Sequence, residues 1–483
     1  MSKPVKSSNA RKLAGNFILL SIGEALSKVF AFVAFAYLAR LLGPDTYGNI
    51  EFALAVAMFF SLIVEGGLGI LGAREIAKDE QCVLPLTFHI VIMRCFLAVG
   101  AFLLLVLFAT ISNKTPQEKQ LLMLYGLTIF GTPGLLSWVF QGFDRMKWVA
   151  ISTVMRWSLF AGFVFLFIHD PRRIWIVPLI ELGAIGCVVV FNFSIFRYFF
   201  GRFWRKFDVS FCLSLFRQGL PIGLSQVTWG LRAYLPIIML GLMVGGEVVG
   251  WFGAAYRIVV ALHTFVWMYY FNIYPSISRC TQQAPDALQR LIGKSLQVNS
   301  WAAIFVGAMG TIFAKPMISI VYGPQYAEAA IGFQFLIWLV AFILISGHYM
   351  YILIAFNKQW FELFSAVCGA TGIIVLNLLL IPKYGYIGAA VAILCSEVLT
   401  WILNYYFVCR KIALIHFISY LIKPLVVGVI MVTVVKLLPF TNFGIMGGTA
   451  ILLYGIGILV LQPNLINDVR MLIVGNKQES KIA

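Results

Sequence analysis

Five basic side chains that could bind an anion lie inside long apolar stretches of the chain: Lys28, Arg94, Arg156, Arg232 and Arg257. A charge near mid-membrane costs about 2.5–3.5 kcal/mol on insertion scales, so such groups usually face a helix bundle or a water-filled cavity. A guanidinium binds phosphate through two parallel hydrogen bonds, and an ammonium binds it as a point charge. The five residues are therefore candidate substrate-binding positions for an anionic cargo.

Three of these five residues have an alternative interpretation. Arg94 and Arg156 lie nearer the ends of their apolar stretches, where a long side chain can reach the membrane surface or pair with a carboxylate. Arg257 also lies toward one end and could face solvent there. Lys28 and Arg232 lie deepest, and for them a place in a cavity is the favoured interpretation.

Four carboxylates lie at comparable depth: Glu24, Glu65, Glu181 and Glu397. A carrier coupled to protons or ions needs a titratable acid that is reached from both sides of the membrane in turn. Glu24 lies four residues before Lys28, on the same helical face, so it serves either coupling or a structural ion pair. Glu24, Glu397 and Glu65 are the ion-coupling candidates.

Patterns that would indicate an enzyme are absent from the sequence. It contains no P-loop, HExxH or GxSxG pattern, and its eight cysteines form no CxxC pair. We therefore expect no catalytic residues, no metal ligands and no cofactor. Work done by such a protein would draw on a proton or sodium gradient rather than on ATP bound to this chain.

The elements that hold these charges are membrane-spanning helices. The chain has 483 residues, of which 61% are hydrophobic and 11% charged, whereas soluble chains carry about 25% charged residues. The composition predicts an all-α polytopic membrane protein. Apolar stretches bounded by charge, Gly or Pro give about 14 transmembrane helices. Their predicted limits are 13–41, 49–72, 84–111, 120–142, 148–168, 174–198, 213–243, 249–274, 295–322, 330–355, 360–381, 385–408, 418–437 and 443–462.

The distribution of Lys and Arg predicts the orientation. Most of those outside the spans fall in the N-terminal segment, the alternate loops that follow it and the C-terminal tail. The positive-inside rule then predicts that both termini are cytoplasmic. The same distribution accounts for most of the net charge of +17, so no nucleic-acid partner is expected. The first span is too long, and too interrupted by charge, for a cleaved signal peptide.

An internal repeat is visible at a shift of 202 residues. The shift aligns the turn at 43–48 with the turn at 245–250, and both have the pattern Gly-x-acid-x-x-Gly. It also aligns Lys28 with Gly230, two residues before Arg232. Because six spans per repeat is an even number, both halves enter from the same side. This predicts parallel pseudo-repeats about an axis along the membrane normal.

Short motifs in the same order resemble those of a known family. They are RLLGPDTYG at 40–48, EGGLG at 65–69, Arg74-Glu75, QGFDRM at 141–146, YGPQYAEAA at 322–330 and IPKYGYIGAA at 381–390. Together they resemble the bacterial polysaccharide exporters, the Wzx-like flippases of the MATE/polysaccharide-flippase (MOP) superfamily. The resemblance covers about residues 10–410. Glu65 stands where the family more often has Asp, which keeps the acid.

The resemblance implies two six-helix lobes around a central cavity, at residues 1–206 and 207–411, with 412–483 adding a helix pair and a cytoplasmic tail. It implies a secondary-active flippase of the bacterial inner membrane. The cargo would be an oligosaccharide on undecaprenyl diphosphate, such as an O-antigen unit for lipopolysaccharide, moved to the outer leaflet by alternating access. Implied partners are membrane lipids, a polysaccharide polymerase and a chain-length regulator.

Other functions remain open at this point. A multidrug or small-cation exporter of the same superfamily would favour an acidic cavity, whereas more bases than acids are predicted at depth here. A membrane glycan polymerase or ligase commonly needs a large outer loop with catalytic residues, and the predicted outer loops are short. A passive scaffold would not need buried charge.

Overall fold

The structure is a computed structural model that describes residues 7–202, 204–282, 285–415, 417–438, 443–465 and 468. Within these ranges the regular structure is entirely helical, which confirms the predicted all-α class. The helices are α1 (Ser7–Glu65), α2 (Leu68–Lys78), α3 (Val83–Ile111), α4 (Pro116–Gly126), α5 (Ser137–Gly142), α6 (Met146–Phe167), α7 (Ile176–Phe200), α8 (Val209–Met243), α9 (Gly246–Arg279), α10 (Pro285–Tyr322), α11 (Ala329–Ala355), α12 (Gln359–Lys411), α13 (Ile418–Leu437) and α14 (Phe443–Leu461).

Two of these helices are interrupted by a glycine. In α1 the backbone leaves the helical conformation at Gly43, where φ is 76°, and in α12 it does so at Gly385, where φ is 54°. Only glycine adopts such angles without steric cost. The 59 residues of α1 would extend about 88 Å at 1.5 Å per residue, whereas a bilayer core is about 30 Å thick. The kink therefore divides α1 into two arms, each long enough to cross the bilayer. The same holds for the 53 residues of α12.

The predicted number of fourteen spans is approximate. In the part of the chain that the structure describes, 11 helical segments are long and apolar enough to cross a membrane, and α1 and α12 each lie within one of them. The helix α8 is not among the 11, although its 35 residues would extend about 52 Å. Fourteen crossings require two from each kinked helix and one from α8.

Two predicted spans differ in detail from the structure. The second was predicted to reach residue 72, but α1 ends at Glu65 because Gly66 and Gly67 both have positive φ. The fourth was predicted as one helix over 120–142. It consists instead of α4, a 3₁₀ turn at Leu127–Gly134 that contains Pro133, and α5.

The chain forms two compact units, one ending at Gly253 and the other beginning at Ala254. The first unit has a core built from α2, α3 and α5, with Leu71, Ile90 and Trp138 buried in it. In the second unit, α13 and α14 pack with α10, and the Tyr454 hydroxyl donates a hydrogen bond of 2.7 Å to the Trp301 carbonyl. The lobe boundaries drawn from the resemblance stay a prediction.

The two turns that the sequence repeat aligns contact each other within the first unit. A Cβ on Gly48 would overlap the Gly246 carbonyl, and a Cβ on Gly250 would overlap the Pro44 carbonyl. The shift of 202 residues converts the first contact into the second, since it carries 44 onto 246 and 48 onto 250. The pair of contacts is therefore what a two-fold relation between parallel repeats would produce.

Candidate functional site

The helix α8 carries a row of polar side chains on one face. Spacings of three, four and seven residues put them on a common side of a helix. We call this row the α8 polar stripe; it consists of Ser214, Gln218, Ser225, Thr228 and Arg232. The first three members are exposed, and Thr228 and Arg232 are half-buried. This stripe also explains why α8 is less apolar than the other long helices.

The other two faces of α8 have different surroundings. Gly219 and Gly223 pack against the backbone at Gly66 and Gly67, which joins α1 to α2. Leu213, Leu220 and Leu224 form an exposed apolar row, as expected for a face turned to lipid. The polar stripe lies on neither face. Because a charge facing lipid is costly, this arrangement suits a stripe that borders water.

Lys28 and Glu24 form an ion pair on the first arm of α1, with 3.4 Å between Nζ and Oε1. Their side chains are 39% and 45% exposed. The exposed apolar residues Ile22, Leu26 and Val29 lie toward the other side of the helix, about 100–160° around its axis from the pair at about 100° per residue. The Glu24–Lys28 pair is therefore partly exposed, but it faces a different direction from the exposed apolar residues of α1.

Arg94 of α3 is fully buried and pairs with Glu65 at the end of α1, with 2.5 Å between Nη2 and Oε1. Its guanidinium also lies 5.9 Å from the ring centre of Trp138. A Cβ on Gly69 would overlap the Glu65 carboxylate, so this glycine makes room for the pair. Arg94 thus has the pairing that the sequence left open as its alternative to substrate contact.

Arg156 of α6 pairs with Glu181 of α7, with 2.9 Å between Nη2 and Oε1. The Glu181 side chain is 2% exposed and that of Arg156 is 20% exposed. The guanidinium stands 5.1 Å from the ring centre of Trp157. Arg156 therefore joins two helices, and its remaining exposure leaves part of the guanidinium accessible.

Two further candidates lie in the second unit. Arg257 of α9 is half-buried, as is Glu397 on the second arm of α12. The hydroxyl of Ser346 donates to Glu397 Oε1 at 3.3 Å. The structure thus brings Glu24 to Lys28, Glu65 to Arg94 and Glu181 to Arg156, whereas Arg257 and Glu397 lie in a different compact unit from those pairs.

Sequence reasoning did not single out one buried acid. Glu51 of α1 is 5% exposed and accepts a hydrogen bond from the Tyr47 hydroxyl. The four-residue spacing from Tyr47 was the available signal, but the residue was assigned to the outer end of a span. Glu51 follows the predicted outer turn at 43–48 by only three residues. The expected excess of bases at depth stays a prediction.

The second unit also contains a buried polar network around His348 of α11. Its Nε2 lies 2.5 Å from the Ser295 hydroxyl of α10, and its Nδ1 lies 2.9 Å from the Tyr270 hydroxyl of α9. Ser295 also contacts the Tyr269 hydroxyl. Both ring nitrogens are occupied, as in a packed core histidine.

Three aromatic side chains within the predicted spans could stack against sugar rings, and their surroundings differ: Trp138, Trp229 and Tyr234. Trp138 is 4% exposed and sits in the core, where a Cβ on Gly72 would overlap its ring. Trp229 is 53% exposed and meets Tyr234 edge to face at 6.0 Å. Both belong to α8, next to Arg232. Of the three, Trp229 has the most open ring.

Contacts in the first unit join segments that the predicted topology puts at the same end of the helices. At the predicted outer side, the Tyr37 hydroxyl donates to the Ile168 carbonyl at 2.7 Å. At the predicted inner side, the Asn16 amide donates to Asp144 Oδ1 at 2.8 Å, and the Asp208 N–H donates to His89 Nε2 at 3.0 Å. Segments predicted to lie on one side therefore do meet.

Apolar helices long enough to cross a bilayer define a multi-pass membrane protein. Within the described ranges, no three metal-ligating side chains lie close enough together to hold a metal ion. The sequence profile of the polysaccharide biosynthesis protein family matches residues 13–281. The chain belongs to that family. The similar proteins described next are transporters and not enzymes.

The chain is similar to curated and solved proteins over most of its length. A protein of Escherichia coli K12, whose name provisionally assigns it as an O-antigen transporter, is 25% identical over 414 residues, covering 83% of this chain and 97% of the relative. The lipid II flippase MurJ in an inward closed conformation matches with a TM-score of 0.77 at 15% identity, covering 93% of this chain and 100% of that one.

A second solved structure has the same fold. It is an inward-facing multidrug resistance MATE family transporter of the MOP superfamily, with a TM-score of 0.64 at 11% identity, covering 80% of this chain and 94% of that one. At these identities the likeness shows a shared fold. The family that the motifs predicted is shown by the profile match over residues 13–281.

Proposed function

We propose that this chain is a secondary-active flippase for an oligosaccharide linked to a polyprenyl diphosphate, such as an O-antigen or other polysaccharide unit. It would move its cargo from the cytoplasmic to the outer leaflet of the inner membrane by alternating access, with both termini cytoplasmic. The observation that carries the proposal is the family match over residues 13–281, which includes α1 and α8 with Lys28 and Arg232.

The α8 polar stripe supports a hydrated route for the glycan. Its hydroxyl, amide and guanidinium groups supply donors and acceptors that sugars can use in place of water. Arg232 at the deep end of the stripe can bind a diphosphate with two hydrogen bonds. Lys28 would supply a second positive charge, and Arg257, Arg94 and Arg156 remain secondary candidates.

A gradient of protons or sodium would drive the transport. Glu24 is the first candidate for coupling because it is accessible and paired with Lys28, so its protonation would release the lysine for an anion. Glu397 and Glu65 are the other candidates. A polysaccharide polymerase and a chain-length regulator would act on the cargo after it reaches the outer leaflet.

The competing function is export of drugs or small cations. The MATE fold neighbour suits such an exporter. A membrane glycan polymerase or ligase is disfavoured because the family's members here are transporters. Ligand binding separates the two remaining candidates.

The test is ligand-induced stabilisation of the purified, detergent-solubilised chain. A ligand present at 100 times its Kd stabilises the folded state by about 2.7 kcal/mol. We expect undecaprenyl diphosphate carrying an oligosaccharide to raise the unfolding temperature more than the corresponding monophosphate does. Ethidium should have no effect. Stabilisation by ethidium alone would contradict the proposal and favour the exporter.

A further inference from the structure

A polar pocket of about 390 Å³ lies at the predicted outer side of the first unit. Four predicted outer segments meet around it: the turn in α1, the loop before α4, the start of α7 and the start of α9. Its volume falls within the range of about 300–1,000 Å³ that small-molecule sites occupy. We call it the outer pocket; its principal lining residues are Asp45, Asn49, Gln117, Glu118, Trp175 and Gly246.

The floor of the outer pocket presents hydrogen-bond acceptors. Asp45 Oδ1 and Asn49 Oδ1 lie 2.6 and 2.7 Å from the position that a Cβ on Gly246 would take. The two oxygens therefore lie close to each other beside Gly246, where a larger residue would displace them. Two adjacent acceptors of this kind suit neighbouring hydroxyl groups, since each hydroxyl has one proton to donate.

The wall of the outer pocket is held in place by local hydrogen bonds. Glu118 Oε1 accepts from Lys114 Nζ at 2.7 Å, and its Oε2 accepts from the Thr115 N–H at 2.9 Å. The ammonium of Lys114 also stands 5.0 Å from the ring centre of Phe52. These bonds occupy both carboxylate oxygens of Glu118, so Asp45 provides the main unneutralised negative charge.

Trp175 gives the pocket an aromatic surface beside the polar one. The indole combines a large apolar face with a single N–H donor. A pyranose ring has the matching character, with apolar C–H groups on its faces and hydroxyls around its edge. Gln117 adds an amide that can both donate and accept.

We propose that the outer pocket binds a neutral sugar residue of the cargo glycan at the outer face of the first unit. That the sugar belongs to the cargo rests on the proposed function. That the pocket suits a sugar is argued from its lining residues alone. It would hold the glycan away from the membrane surface and bias the carrier toward outward release.

The chemistry of the lining disfavours other ligands. No Lys or Arg lines the outer pocket in the described part of the chain, and Asp45 would repel a phosphate or an acidic sugar. A divalent cation prefers six or more oxygen ligands with several carboxylates. Both carboxylate oxygens of Glu118 are already hydrogen-bonded, and the described residues hold no cluster of three metal-ligating side chains.

Saturation-transfer NMR on the purified full chain tests the proposal. The probes are methyl glycosides of glucose, galactose, mannose, rhamnose and N-acetylglucosamine, each up to 50 mM. We expect at least one to receive saturation from the protein. Gly246→Ala, which puts a methyl group between Asp45 and Asn49, should reduce that signal at least fivefold, as should Trp175→Ala.

The matched control is Gly183→Ala, because a Cβ at Gly183 in α7 meets nothing within 4 Å. It should keep the signal of the unaltered chain, and thermal unfolding should confirm that all three variants are folded. Should Trp175→Ala fail to fold, Gly246→Ala decides alone. Neither pyrophosphate nor Ca²⁺ should displace the sugar.

Saturation of none of the five sugars would overturn the proposal. So would unchanged signals in Gly246→Ala, or displacement by pyrophosphate or Ca²⁺. The result is independent of transport. Suppose that the chain binds a sugar, that Gly246→Ala removes this binding, and that no diphosphate-linked glycan stabilises the chain. This result would contradict the proposed function but support the sugar site. If that glycan stabilises the chain and no sugar binds, the sugar site is contradicted and the proposed function is supported.

Discussion

Arg232 is the residue for which the structure adds most to the sequence. The sequence placed it deep in a span, and the structure places it at the half-buried end of a row of polar side chains on α8. Lys28 is likewise accessible but turned from the apolar face of its helix. These two residues meet the requirement for a cationic group that a hydrated anion can reach.

We predict that Arg232→Ala abolishes export of the diphosphate-linked glycan and that Arg232→Lys recovers it only in part, because lysine lacks the bidentate geometry. Lys28→Arg should be milder than Lys28→Ala. Export is measured as surface glycan in cells that depend on this chain, with membrane abundance measured in parallel.

The control for Arg232 is Leu224→Ala on the exposed apolar face of the same helix, which should leave export near normal. A structural role for Arg232 would deplete the protein from the membrane, whereas a role in transport leaves it present and inactive. Normal export from Arg232→Ala at normal abundance would remove this residue from the anion site.

The buried pair Glu65–Arg94 should behave differently from the accessible pair Glu24–Lys28. Removing one partner of a buried pair typically costs about 3–5 kcal/mol, because it leaves an uncompensated charge, whereas exposed pairs contribute about 0–1 kcal/mol. We predict that Glu65→Gln lowers the free energy of unfolding by several kcal/mol and that adding Arg94→Met restores part of the loss.

The matching experiment on the accessible pair is Glu24→Gln, for which we expect little change in the free energy of unfolding. Equilibrium unfolding in mixed detergent measures both pairs. Equal costs at Glu65 and Glu24 would contradict this prediction, because burial would then not distinguish the two pairs.

At the scale of elements, the corner between α1 and α2 depends on two glycines. Gly67 has a φ of 72°, and its Cβ would stand 2.5 Å from both the Gly219 carbonyl and the Gly223 N–H. The Gly67 N–H donates to Gln226 Oε1 at 3.1 Å, so the corner is also tied to α8 by a hydrogen bond. The glycine face of α8 and the glycine corner are complementary surfaces.

We predict that Gly67→Ala destabilises the chain strongly. The left-handed backbone alone costs about 1–2 kcal/mol for a residue with a Cβ, and the overlap with α8 adds to this. Thermal unfolding of the purified variant measures the loss. Gly100→Ala is the control, since a Cβ there meets nothing within 4 Å; a similar loss at both positions would contradict the account of this corner.

Much of the element order was predictable because transmembrane helices follow from apolar length. The predicted limits 84–111 and 418–437 agree with α3 and α13 within a residue. The break in the fourth span was not predicted, because the apolar composition of that span continues through Pro133. The structure shows why the chain bends there: Gly131 and Gly134 pack against α7.

The site was less predictable than the elements. The depth of a charge can be read from the sequence, but its partner cannot when that partner is on another helix. Glu65–Arg94 and Glu181–Arg156 are such pairs. The α8 polar stripe was available in principle, because its spacing is helical, but Ser and Thr occur on many faces of membrane helices and only the burial pattern separates this one.

At the scale of the whole molecule, the orientation is a prediction that sided labelling can test. We predict that cysteines introduced at Lys114 and Arg172 react with an impermeant maleimide in intact cells, and that cysteines at Arg205 and Arg290 react only after permeabilisation. The eight native cysteines are first replaced. Labelling at position 205 in intact cells would overturn the assignment of the sides.

The central claim is that the chain moves a diphosphate-linked glycan between leaflets, and transport in proteoliposomes tests it most directly. The vesicles contain undecaprenyl diphosphate bearing a short oligosaccharide, a proton or sodium gradient is imposed, and an impermeant glycosidase reports the fraction of glycan in the outer leaflet over time. The account predicts a gradient-dependent rate well above that of protein-free vesicles, and its loss in Arg232→Ala. A rate equal to that of protein-free vesicles, with folded and correctly inserted protein, would contradict it.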